Sequence, residues 1–123
     1  MLPIASMTSA LAAVALVVLS IRVSLRRKKV GLKLGHSEDV VLMRRIRAQG
    51  NFIEYVPLAL ILLALAEYRQ APAAMLWTIA GLLIVGRGLH VAGIVTARTP
   101  LSAPGMVGTY GALLVGAAAL VLG

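Results

Sequence analysis

Arg44-Arg45-Ile46-Arg47-Ala48-Gln49-Gly50-Asn51-Phe52-Ile53-Glu54-Tyr55-Val56-Pro57, continued by an unbroken apolar run from Leu58 to Leu65, decides how the rest of the chain is read. Its first half is basic and its second half oily. Arg47, Gln49, Asn51, Glu54 and Tyr55 stand where water would give way to lipid. Polar and ionisable groups at membrane depth are costly, so a site is the default hypothesis for them. At helical spacing Arg47, Asn51 and Glu54 fall at i, i+4 and i+7 on one face, and Tyr55 flanks it. Gln49 points elsewhere and would serve a neighbouring helix or subunit.

The whole chain is as oily as that second half requires. Its 123 residues are 60% hydrophobic and 13% charged, with mean hydropathy +0.96, too apolar for a soluble domain of this length. The apolar residues lie in four blocks. The expectation is therefore an all-α membrane protein: one domain spanning 1–123, a four-transmembrane-helix bundle with helices at about 2–25, 37–67, 71–97 and 104–122. Net charge is +8, and nine of the twelve basic residues are Arg22, Arg26, Arg27, Lys28, Lys29, Lys33, Arg44, Arg45 and Arg47. Between two spans such a cluster is explained by orientation and anionic headgroups, and no nucleic-acid partner is expected. There is no cysteine, which excludes disulfides and a cysteine nucleophile. His36 and His90 lie far apart, and no metal-ligand spacing occurs.

Leu2 to Leu19 is long enough to cross a core of about 30 Å at about 1.5 Å per residue. Basic residues follow this run rather than precede it, so it reads as a retained helix and not a signal peptide. Ala5, Ser9 and Ala13 offer a small-residue seam. Arg22 to Gly35 reads as a basic loop broken by Gly31 and Gly35. Ser37 is the expected N-cap of the second helix, with Glu38 and Asp39 in its first turn. Pro57 is expected to kink that helix beside Glu54; an ordinary membrane proline is the alternative. Pro72 suits the first turn of the third helix, and Tyr68 and Trp77 read as interfacial aromatics. Gly81, Gly86, Gly88 and Gly93 mark close packing, and Gly108, Ala112 and Gly116 form a second seam. Arg98 to Gly105 reads as the last connection.

Positive charge flanks one side of the spans, with Arg69 alone on the other. The positive-inside rule then puts both termini outside and the first and third connections in the cytoplasm. Glu54, Arg87 and His90 fall at overlapping depth in the cytoplasmic half. Several arginines, a carboxylate, an amide and a tyrosine suit a small, multiply charged ligand. Arginine holds carboxylates in a planar fork, and a short peptide with two carboxylates and an amine, such as glutathione, fits that inventory. A positive field also favours a thiolate, the nucleophilic form. The rival reading is structural: Arg47 and Glu54 as an ion pair, with Arg44 and Arg45 as headgroup anchors.

Arg47-x-Gln49-x-Asn51-x-x-Glu54-Tyr55-x-Pro57 resembles the second-helix motif of the MAPEG family, the membrane-associated proteins in eicosanoid and glutathione metabolism. Gly86-Arg87-x-x-His90-x-x-Gly93 is similar to the third-helix pattern of bacterial members. The resemblance implies a homotrimer in a bacterial inner (plasma) membrane, with glutathione as co-substrate bound between subunits near the cytoplasmic face. Arg47, Asn51, Glu54 and Tyr55 would contact it from one subunit and Gln49 from the next, with Arg87 and His90 lining the pocket. His90 stands where characterised transferases carry a tyrosine, and Ile94 replaces their second one. Arg98 is the candidate for the arginine near the start of the fourth helix that holds the thiolate, with Arg87 the other.

Three functions follow. One is a glutathione transferase or peroxidase acting on apolar small molecules delivered by membrane lipid. The second is a non-catalytic protein of the same fold that binds lipid or a partner. The third is a small four-helix exporter, disfavoured because helix 1 has no acidic residue.

Overall fold

A computed structural model describes residues 1–32 and 38–122, apart from the side chain of Thr99. Four helices follow in order: α1 (Pro3–Val30), α2 (Val40–Tyr68), α3 (Ala73–Val95) and α4 (Thr99–Leu122). Each is long and apolar enough to cross a membrane. The chain is a multi-pass integral membrane protein built as a four-helix bundle. Many large apolar side chains, among them Val14, Val17, Leu58, Ile61, Val85 and Leu114, stay exposed on the bundle surface, as lipid contact requires.

The ends of the elements differ from expectation. α1 does not stop near residue 25 but carries the basic cluster on to Val30. Arginine, lysine and leucine are good helix formers, and Arg27, Lys28 and Lys29 in the last turn complement the helix dipole. Gly31 ends the helix in the left-handed region at φ 76°, with its N–H and that of Leu32 on the Arg27 carbonyl. α2 starts at Val40 rather than 37, and its N-cap is Asp39, whose carboxylate accepts the Leu42 N–H at 2.8 Å. The expected cap Ser37 lies outside the described residues, as do Lys33, Gly35 and His36. The third connection is also shorter than expected. α4 begins at Thr99, with Pro100 in its first turn and Pro104 inside it; a proline in the first turn lacks an N–H that would be unpaired anyway.

α3 and α4 pack backbone to backbone. A Cβ on Gly86 would lie 2.8 Å from the Gly105 carbonyl oxygen and 2.9 Å from the Thr109 nitrogen. Gly93 faces Ser102 and Gly105 faces His90 just as tightly. The second seam turns as it descends: Gly108 meets Gly86 of α3, while a Cβ on Gly116 would lie 2.9 Å from Leu62 Cβ of α2. Gly81 and Gly88, expected at close contacts, face open space. Ala5 is buried, but Ala13 of the first expected seam is exposed; Thr8 is the buried polar residue there.

α1 is tied to α2 by polar groups at both ends. At the basic end Arg26 grips Asp39 through two bonds, Nε to Oδ2 at 2.9 Å and Nη2 to Oδ1 at 2.8 Å. Arg45 donates to the Arg22 carbonyl at 2.9 Å, and Gln49 Nε2 to Ser20 Oγ at 2.8 Å. At the opposite end the Glu67 carboxylate accepts the N–H groups of Ile4 (2.9 Å) and Ala5 (2.8 Å). A carboxylate from α2 thus caps the start of α1, where Leu2 supplies no side-chain cap.

Candidate functional site

The polar residues of α2 and α3 meet those of α4 around one side chain, Arg87. It projects from α3 into the seam with α2 and α4 and is only 5% exposed. Its Nη1 donates to Asn51 Oδ1 at 2.6 Å and faces Thr109 Oγ1 at 3.5 Å and Met106 Sδ at 3.7 Å. Its Nη2 lies 3.3 Å from His90 Nδ1, and the guanidinium carbon stands 5.7 Å from the centre of the Phe52 ring. Helical spacing explains the grouping: Arg87 and His90 are at i and i+3 on α3, and Asn51 is on the α2 face that the core buries.

Every one of those contacts is neutral. Among the described residues no carboxylate lies within ion-pair distance of Arg87, and its Nε is buried without a hydrogen-bond partner. A buried cation held only by neutral groups is costly and leaves a positive potential at the site.

The other expected residues fall on either side. Arg47 Nη1 and Glu54 Oε1 are 3.7 Å apart, with side chains 57% and 52% exposed. That is a long, open ion pair, weaker than a structural clamp. Tyr55, half-buried, packs edge-on against Tyr110 of α4, ring centres 5.7 Å apart. Gln49 turns away from this cluster to Ser20 of α1. Arg98 is exposed in the turn before α4, about two helical turns beyond His90. Arg44, Arg47, Glu38, Met43, Gly93 and Ser102 line a cavity of about 480 Å³ at the basic end.

Sequence reasoning missed Thr109, Tyr110 and Phe52. Thr109 and Tyr110 are the polar residues in the otherwise apolar stretch of α4 that follows Ser102, and the rule that flagged α2 applies to them equally. Phe52 carries no polar signal, and only packing reveals it.

A membrane-embedded four-helix bundle with an arginine-centred polar site between α2, α3 and α4 is the class of protein defined here. The chain belongs to the MAPEG family, whose model matches residues 5–122. No curated protein and no solved structure matches it.

Proposed function

We propose that the chain is a glutathione-binding transferase or peroxidase that works on apolar electrophiles at the basic face of the membrane. The observation that carries this reading is Arg87: a buried guanidinium with neutral partners and a free N–H supports an anion, and a thiolate is one. Arg47 and Arg44, beside the 480 Å³ cavity, supply forks for the peptide's carboxylates, and the cavity is within the usual range for small-ligand sites. Glu54 takes the ammonium, and Asn51 and Tyr55 hold peptide groups. The positive field lowers the proton affinity of the bound thiol. The thiolate then attacks the electrophilic carbon, forming a C–S bond as the leaving group departs with its electron pair.

Arg87, inside the cluster, suits the thiolate better than exposed Arg98. His90, with its ring nitrogen on Arg87, holds that guanidinium in place. Arg47 and Glu54, each more than half exposed on a membrane helix, support a homotrimer in which a neighbouring subunit covers them, since lipid is a poor solvent for both. The basic end faces the cytoplasm of a bacterial inner membrane and both termini lie outside, as the charge bias favours.

A second reading, binding of lipid or a partner without turnover, is favoured by Arg98 lying away from the cluster and by Ile94 where a tyrosine would be expected. The ultraviolet absorbance of bound thiolate separates the two. A transferase shows a thiolate band on adding glutathione that Arg87→Gln abolishes, together with conjugation of an aryl halide. Binding with neither band nor product supports the second reading.

A further inference from the structure

We propose that the apolar groove between α1 and α3 holds one acyl chain of an anionic membrane lipid, with its headgroup paired to Arg22. This inference does not depend on the glutathione reading. The groove has a volume of about 610 Å³, within the range of built ligand sites. α1 is fastened to α2 at both ends by polar groups and touches α3 only sparsely, which leaves the groove between them. Its walls include small residues, Ala15 on α1 and Gly88 and Ala92 on α3, and a Cβ on Gly88 would meet nothing within 4 Å.

Size selects the occupant. The wall from Thr8 to Arg22 of α1 is about 21 Å long at the helical rise, so it accommodates the chain of one leaflet, about half of a core roughly 30 Å thick. A helix from a second copy laid along the groove would cover its open side and bar both of the lipid probes described below.

Charge selects the headgroup. Arg22 lines the basic end of the groove. It is half-buried, and its side chain has no partner among the described residues. Its neighbour Arg26 is already neutralised by Asp39. Midway along, Arg87 backs the groove with its Nε buried and unpartnered. That guanidinium is sealed from the groove at the depth of the acyl chain, so the headgroup is selected by Arg22 alone, a cation at the membrane surface that favours an anionic lipid over a zwitterionic one.

The test is photolabelling of the full chain in phosphatidylcholine bilayers. Two trace probes carry the same diazirine-tagged acyl chain, one on phosphatidylglycerol and one on phosphatidylcholine. Labelled residues are mapped by mass spectrometry. The expected sites are on α1 between Leu11 and Arg22 and on α3 between Ile84 and Thr96, with the anionic probe ahead by roughly fivefold, the factor that about 1 kcal/mol for one basic residue represents. Arg22→Gln abolishes that preference and leaves the neutral probe's labelling. Ala15→Leu with Ala92→Leu fills the groove and suppresses both probes there, whether or not the arginine variant folds. Lys29→Gln, exposed at the end of α1, changes neither. Labels spread evenly over the lipid-facing surfaces of all four helices, equal labelling by the two probes, or a groove closed to both by contacts with a second copy would each overturn the proposal.

Discussion

Arg87 dominates at the scale of the residue, because its charge is buried and its partners are not charged. Replacing it with glutamine keeps a donor for Asn51 and removes the cation. A hydrogen bond to a charged group contributes about 1.5–3 kcal/mol, so Arg87→Gln is expected to weaken binding of an anionic ligand by roughly ten- to over a hundredfold, read by calorimetry. Asp39 presents a different residue-scale effect. The Arg26 guanidinium, then the Leu42 N–H, hold its carboxyl down at about 2 against an ordinary 3.8. The clamp between α1 and α2 is therefore fully formed above about pH 3.8 and is lost as the pH falls toward about 2. Hydrogen exchange at the Leu42 amide, corrected for intrinsic rate, should accelerate in that window and not between pH 5 and 8; Asp39→Ala, which removes the acceptor, should show the fast rate throughout. Both groups were visible in sequence, but Asp39 was read as a first-turn anion. The sequence points to Ser37 as the N-cap and the structure has Asp39, two residues of register that the backbone alone decides.

Two features matter at the scale of the element. Glu67 joins the end of α2 to the start of α1, and the loss of an N-terminal cap costs about 0.5–2 kcal/mol. Glu67→Ala, which removes both acceptor oxygens, is expected to speed exchange of the Ile4 and Ala5 amides without touching those of α3. The α3–α4 contact has no slack: a methyl on Gly86 would press on two backbone atoms of α4, so Gly86→Ala should destabilise the bundle by about 1–3 kcal/mol. Gly88→Ala meets only open space and should be neutral or stabilising, by up to about 1 kcal/mol of helix propensity. Thermal unfolding in detergent compares the pair. The four helices were legible because twenty-residue apolar runs have few other solutions in a chain this oily. Their ends were not. Arg22–Lys29 resembles a loop in hydropathy yet propagates a helix, and Thr99–Gly105 is rich in proline and glycine yet helical. There the close approach to Gly86, His90 and Gly93 outweighs local propensity. The seam was half legible: small residues announce close packing but not which neighbour they meet, so Gly86 and Gly88 looked alike.

At the scale of the molecule the site has an open side. Arg47, Glu54 and Tyr55 sit where one chain leaves them exposed or half-exposed in a membrane, while Asn51, Arg87 and His90 are enclosed. The motif on α2 made both groups legible as one cluster; that one half is buried and the other open was not, since periodicity does not say which neighbour covers a face. Native mass spectrometry from mild detergent should give three chains of 12.8 kDa, and monomers would remove the cover that the open half requires. Because the chain lacks cysteine, single cysteines at Ser6 and Lys29 report sidedness cleanly: Lys29→Cys should react only with permeant reagents in intact cells and Ser6→Cys with impermeant ones. The central claim is glutathione binding at the arginine-centred site, and calorimetry on the detergent-purified chain tests it most directly, with Arg47→Ala and Glu54→Gln alongside. Saturable binding lost in both variants is the predicted result. No heat up to about ten millimolar, roughly −2.7 kcal/mol at a 1 M standard state, would contradict the account and leave the polar face of α2 to another ligand or to structure alone.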